Sequence, residues 1–144
     1  MTTIRFADDP CPDETSIARI REPLRAFNES VLGNCGQTPL LVTATTDAGV
    51  LAGGVYGWIQ FGWLYIHLLW VHEAHRRNTI GTRLMERIEA LARHRGIRRA
   101  RLATSDVQPG FQLYQRRGYT VFAAIPLSTD TGEHSEYLMW KDPI

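Results

Sequence analysis

Residues 63–85 read WLYIHLLWVHEAHRRNTIGTRLM, from Trp63 to Met85, and the rest of the chain is read outward from them. From Trp63 to Val71 nearly every side chain is aromatic or aliphatic. That composition predicts a central strand buried on both faces. The arginine-rich loop Arg76-Arg77-Asn78-Thr79-Ile80-Gly81 follows. Beyond it, apolar residues recur at Ile80, Leu84, Ile88 and Leu91, with Met85 and Ala92 alongside. This is one face of a helix at the 3.6-residue period. A strand that feeds through such a loop into a helix N-terminus gathers unpaired N–H groups and the positive end of the helix dipole at one place. The stretch therefore predicts a site for a ligand that carries phosphates.

Downstream, Arg95-Gly96 marks the helix end through the glycine preference at that position. Residues 97–104 read as a strand entered by a crossover helix, hence parallel to the first. Pro109 suits the first turn of a short helix over 109–117, and Gly118 its end. Residues 119–125 and 135–141 predict a terminal hairpin around a loop at 127–132. Upstream, residues 2–7 alternate like an edge strand, and residues 13–16 offer helix caps. Ile17, Ile20, Leu24, Phe27 and Val31 follow helical spacing, interrupted by Pro23, which predicts either a kinked helix or two short ones. Residues 40–46 and 50–60 form a hairpin across the turn Asp47-Ala48-Gly49. Gly53, Gly54 and Gly57 inside its second strand predict a bulge or the close approach of another group.

The 144 residues and 44% hydrophobic content suit one domain, residues 1–144. No apolar run reaches the roughly 20 residues of a membrane span, because residues 50–71 are broken by Gly53, Gly54, Gly57, Gln60, Gly62 and His67. The first residues lack the apolar core of a signal peptide, so a cytoplasmic protein without membrane partners is expected. Cys11 and Cys35 have no paired-motif spacing and fit a reducing compartment. The net charge is only +1, yet 11 arginines lie between Arg76 and Arg117 against Glu86, Glu89 and Asp106. This half attracts anions. His72-Glu73-Ala74-His75 is one residue short of the spacing that sets two histidines on one helical face, so no metal is expected. The near-neutral balance and the lack of a groove-reading motif argue against nucleic acid.

Two motifs carry a resemblance. The segment LLWVHEAHRRNTIGTRLM resembles motif A of the GCN5-related N-acetyltransferase (GNAT) superfamily, R/Q-x-x-G-x-G/A after a strand ending L-x-V. Leu69, Val71, Arg76 and Gly81 fall on the pattern, and Thr79 stands where the family usually has glycine. Either Thr79 adopts an ordinary φ and offers its hydroxyl to a phosphate, or the loop binds more weakly. The run from Gly110 to Tyr119, GFQLYQRRGY, is similar to the family's A-x-x-L/F-Y-x-x-x-G-F/Y, with Gly110 in place of alanine and Val107 in place of a preceding asparagine.

The resemblance covers nearly the whole chain and implies an α/β acyl-CoA N-acyltransferase fold, a mixed, mostly antiparallel central sheet flanked by helices. It implies acetyl-CoA as co-substrate and transfer of its acetyl group to a primary amine by direct attack. Backbone N–H groups at Leu69, Trp70 and Val71 would hold the pantetheine arm and the thioester carbonyl. Arg76, Arg77, Asn78, Thr79, Ile80, Gly81 and Thr82 would hold the pyrophosphate, assisted by Arg83. Tyr114 aligns with the tyrosine that protonates the departing thiolate, and Phe27 and Asn28 fall where relatives contact the acceptor.

The family often places a general-base glutamate where this chain has Tyr65. His67, two residues on, shares a face with Tyr65 and Leu69 by strand alternation, and histidine is the side chain whose charge changes near neutrality. Glu73 and His72 are its rivals. The acceptor is a small-molecule amine or a protein amino group. A chain near the family's minimal length favours the former. The edges of the terminal hairpin make a homodimer conceivable. Two other readings stay open: a regulatory module that binds acyl-CoA without transferring it, and an arginine-rich nucleic-acid-binding domain.

Overall fold

In a computed structural model describing residues 1–144, the apolar run Trp63–Val71 is a strand with the expected bounds. It is the third of six: β1 (Thr38–Thr45), β2 (Leu51–Gln60), β3 (Trp63–Val71), β4 (Ala100–Ser105), β5 (Thr120–Thr129) and β6 (Gly132–Lys141). They form one sheet in the order β1-β2-β3-β4-β6-β5, in which only β3 and β4 pair in parallel. The crossover between those two strands is α2 (Ile80–Arg93), and α3 (Gly110–Arg116) follows β4. Together these elements lie in a compact unit, Gln37–Ile144.

A separate unit, Met1–Gly36, holds α1 (Glu14–Leu32). Its first turn is capped by Asp13, whose side chain accepts the Ser16 N–H at 2.7 Å. That backbone hydrogen bond holds the Asp13 carboxyl below the usual carboxylate range. In this unit one alternative is removed and one expectation fails. Pro23 does not start a second helix. It sits inside a single helix of 19 residues, which forgoes one N–H donor and continues. Residues 2–7 form no strand, since alternation without a pairing neighbour leaves the backbone groups to water.

The helical stripe of α2 packs as its period predicts. Leu84, Met85, Ile88 and Ala92 are buried against Val55, Leu64, Ile66, Ala100, Leu102 and Met139 of the sheet. Fully burying side chains of this size contributes about 1.5–3 kcal/mol each. Ile97 N–H reaches back to the Ala92 carbonyl at 3.1 Å, with Gly96 at φ +77°, which ends the helix as the glycine signal predicts. The terminal hairpin is longer than expected. Its strands extend to Thr129 and Gly132, leaving only Asp130 and Thr131 as the turn. The polar residues that read as loop are strand residues with their side chains tied to one another, such as Ser128 Oγ to Glu133 Oε1 at 2.8 Å.

The other departure lies in β3 itself, which is covered on one face rather than two. Leu64 and Ile66 are buried, whereas Leu68 is 57% and Trp70 45% exposed. Pairing with β2 shifts between Tyr56 and Gly57: Gly57 faces Ile66, Tyr56 faces Leu68, and His67 is the extra residue of a bulge. Gly57 is needed there, because a Cβ would stand 2.2 Å from the Tyr65 carbonyl oxygen. The bulge also corrects the expected alternation. Leu69 pairs with buried Val55 and packs on the core, so it lies on the α2 face. Tyr65 and His67 remain together on the opposite face, with ring centroids 6.0 Å apart.

Candidate active site

Parallel pairing between β3 and β4 covers only Leu64↔Ala100, Tyr65↔Arg101 and Ile66↔Leu102. Beyond that point β3 stays with β2, through Leu68 to Val71, while β4 stays with β6, through Ala103 to Ser105. The strands part where His67 bulges. Residues 68–71 therefore keep one edge of backbone N–H and C=O groups without a neighbouring strand, open to another hydrogen-bonding partner. A cleft of about 760 Å³ opens beside this edge.

Leu69, Trp70 and Val71 form one wall of the cleft. Its floor is the start of α2, where Arg76, Arg77, Asn78, Gly81 and Thr82 line the space. The opposite wall is α3, with Gly110, Phe111, Leu113 and Tyr114. Arg76, Arg77 and Arg116 are the cations of the lining and Asp106 its one carboxylate, so the space favours an anion. Arg76 also ties the loop to the strand, its Nε donating to the Val71 carbonyl at 3.0 Å.

Thr79 precedes α2 at φ −77°, an ordinary value, and its side chain makes no capping bond. The strained residue of the loop is Arg77, at φ +66°. The left-handed residue of this loop thus stands two positions before the place where the family usually has glycine. Gly81 has a packing reason as well, since a Cβ there would meet Leu113 Cδ2 at 3.0 Å and push α3 from α2. Three residues expected in the anion loop do not line the cleft. Thr79 is outside the lining, and Ile80 and Arg83 face a second groove, between β1 and α2. Helical rotation explains it, because successive residues of the first turn point some 100° apart.

Tyr114 is 7% exposed, and burial pushes its phenol up to about 12. Its ring lies over Gly110, where a Cβ would be 3.1–3.3 Å from the ring and hydroxyl. The seven residues of α3 are too few for a stable isolated helix. Its anchor is a cluster that sequence reasoning missed. Glu89 of α2, 1% exposed, accepts from Tyr119 Oη at 3.0 Å, Arg117 Nη2 at 2.7 Å and Lys141 Nζ at 3.4 Å. Tyr119 in turn donates its backbone N–H to the Tyr114 carbonyl at 3.0 Å and sets its ring edge-on to Tyr114 at 6.0 Å. Burial and the Glu89 carboxylate push the Tyr119 phenol strongly up, so it stays a donor. The only available signal was a glutamate on the apolar stripe of α2.

Among the base candidates, His67 is not one of the residues lining the cleft; it is exposed on the sheet face opposite α2, within ring contact of Tyr56, Trp58 and Tyr65. His72 is occupied locally, Nδ1 accepting the Ala74 N–H at 3.1 Å to cap the 3-10 turn Glu73–His75, in which Glu73 is exposed. Phe27 and Asn28 lie on α1, in the first unit.

Comparison with known proteins agrees with this arrangement. The sequence profile of the Acetyltransferase (GNAT) family matches residues 5–119. Blasticidin-S acetyltransferase of Streptomyces morookaense is 45% identical over 93 residues, spanning 61% of this chain and 67% of that protein. An acetyltransferase of Agrobacterium fabrum is 35% identical over 127 residues, spanning 88% of this chain and 92% of that one. The crystal structure of an acetyltransferase from Agrobacterium tumefaciens superposes with a TM-score of 0.82 at 30% identity, covering 96% of this chain and 99% of that one. With the parted strands, the arginine loop and the tyrosine helix in their places, the chain belongs to the GNAT acetyltransferase family.

Proposed function

We propose that the enzyme transfers the acetyl group of acetyl-CoA to a primary amine of a small molecule, by direct attack of the amine on the thioester. The observation that carries this reading is the cleft between β3 and β4, which combines a free backbone edge, a cationic helix start and a buried phenol. The pyrophosphate of acetyl-CoA fits the N–H groups at the start of α2 together with Arg76 and Arg77. The pantetheine arm adds to the open edge of β3 as a further strand would, and the thioester carbonyl receives an N–H group there as it becomes anionic.

The amine nitrogen attacks the carbonyl carbon, a C–N bond forms and the C–S bond breaks. The proton of the amine passes to His67, directly or through water. The thiolate takes its proton from Tyr114. A phenol at about 12 is a weak acid beside an ordinary thiol near 8.5. The same burial raises a thiolate leaving inside the cleft, which narrows the gap. Direct attack forms no covalent enzyme intermediate, so neither Cys11 nor Cys35 is given a part in the transfer.

The likeness to blasticidin-S acetyltransferase makes blasticidin S the first acceptor to test. Release of free thiol from acetyl-CoA, followed with and without it, reads the reaction directly. Tyr114→Phe is expected to lower kcat about 10²-fold at unchanged acetyl-CoA affinity, and His67→Ala to lower it and change the pH profile. Unchanged turnover in Tyr114→Phe would remove the acid. An unchanged pH profile in His67→Ala would remove the base.

A further inference from the structure

On the sheet face opposite α2, the bulge gathers four rings. Trp58 lies 4.7 Å from Tyr65 and 5.2 Å from His67 between ring centroids, and Tyr56 lies 6.1 Å from Trp58 and 6.3 Å from His67. Cross-strand pairing explains the grouping: Trp58 pairs with Tyr65 and Tyr56 with Leu68, so these side chains share a face. One strand further on, Arg101 pairs with Tyr65, and its guanidinium carbon stands 5.1 Å from the Tyr65 ring centroid. Arg101 is exposed and engages no carboxylate. None of the three strands that build the panel, β2, β3 and β4, contains an Asp or Glu.

The panel begins where β3 and β4 part, and His67 is its ring nearest in sequence to the open edge at residues 68–71. Aromatic side chains stack flat rings and gain from that geometry beyond the area they bury. An unpaired guanidinium is the group best matched to a carboxylate, through two parallel N–H donors. On these three strands a substrate with several ammonium groups meets one cation and no anion, which costs affinity and selects against it; the carboxylate that the next strand adds to this face is Glu136 of β6, opposite Ser105 at the far end of β4 from Arg101.

From this juxtaposition we infer the class of acceptor, resting on the acetyltransferase reading above: a small amine that also carries a planar aromatic or heteroaromatic ring and a carboxylate. The ring stacks on the panel of Tyr56 and Trp58, the carboxylate pairs with Arg101, and the amine lies beside His67. Trp58 and Arg101 are then specificity-determining residues. They touch the acceptor and leave the acetyl donor alone. Transfer yields the amide and free thiol, as in any acetylation of an amine, so no further reactant is needed.

The test measures kcat/KM for thiol release with acetyl-CoA and a matched set of acceptors: aromatic and heteroaromatic α-amino acids, their carboxamides, alanine, and a polyamine sugar. Ring-bearing amino acids are expected to exceed their carboxamides and alanine by at least about tenfold, the scale of one charge-assisted pair or one stacked ring. Arg101→Ala should erase the preference for the carboxylate, and Trp58→Ala the preference for the ring, each with unchanged acetyl-CoA affinity by calorimetry. Arg101 is exposed, so its replacement leaves the fold intact. Equal or better rates with carboxamides or the polyamine sugar, no transfer to any ring-bearing amino acid by a protein that binds acetyl-CoA, or unaltered preferences in both variants would overturn the inference. Failure to bind acetyl-CoA at all would instead sink the acetyltransferase reading beneath it.

Discussion

The cleft has one wall of backbone and one of side chains. The β3 wall presents peptide groups, and what it needs from the sequence is a residue that gets out of the way, Gly57, so that the strand can bulge and leave its partner. The α3 wall presents a phenol. What it needs is an anchor, the buried carboxylate of Glu89 beneath Arg117, Tyr119 and Lys141. A backbone surface tolerates almost any side chain along its length and fails when the path of the chain is blocked. A side-chain surface fails when its support is removed, even at a distance.

The two walls should therefore break differently. The largest effect is expected at Glu89. Glu89→Ala leaves Lys141 without its counter-ion and Arg117 with only the exposed Glu86, 3.4 Å from its Nη1, and breaking a buried pair in this way costs about 3–5 kcal/mol. Urea unfolding should show it, and the surviving folded protein should lose turnover because α3 is loose. A loss below about 1 kcal/mol would mean that α3 is held by its apolar contacts alone.

Gly57→Ala comes next, at about 1–3 kcal/mol, because the new Cβ must move the Tyr65 carbonyl and no flexible atom can yield in its place. Here acetyl-CoA affinity should fall with stability, since the bulge and the open edge are one feature. An alanine variant with normal stability and affinity would show that the bulge does not depend on this glycine.

A pH-dependent effect sharpens the account of the α3 wall. The Tyr114 phenol sits at about 12 in the folded protein, against about 10 when unfolded. Its contribution is fully present below pH 10 and is lost as pH rises through 12, because the unfolded chain gives up the proton first. The loss is on the order of 2–3 kcal/mol, and Tyr119 acts in the same direction over the alkaline range. Tyr114→Phe should make the fall of stability above pH 10 shallower. An unchanged alkaline limb would show that the phenol is in contact with water.

The same contrast explains what could be read from the amino acids alone. The bounds of β3, the stripe of α2 and the glycine ends of α2 and α3 follow from period and local backbone preference, which a sequence displays directly. Local pattern misleads where a partner decides: residues 2–7 alternate but pair with nothing, and residues 127–129 and 132 look like a loop but lie in the paired strands of the terminal hairpin. At the site, Leu69, Trp70, Val71, Arg76, Gly81 and Tyr114 converge on the cleft as the two motifs imply. Ile80 and Arg83 do not, because a motif is a run of residues and a helix turns alternate ones away. His67 illustrates the hardest case. Its face was legible and its relation to Leu69 was not, since one inserted residue reverses every later position on the strand.

The central claim is that the parted strands and the arginine loop form the seat of acetyl-CoA. Calorimetric titration of the purified protein with acetyl-CoA, at low and at moderate salt, tests it most directly. The account predicts one molecule bound per chain, with affinity that weakens as salt rises because phosphates meet Arg76, Arg77 and the helix start. Absence of binding at either salt would contradict it, and would mean that Thr79 and the left-handed Arg77 do not replace the glycine that the family places in this loop.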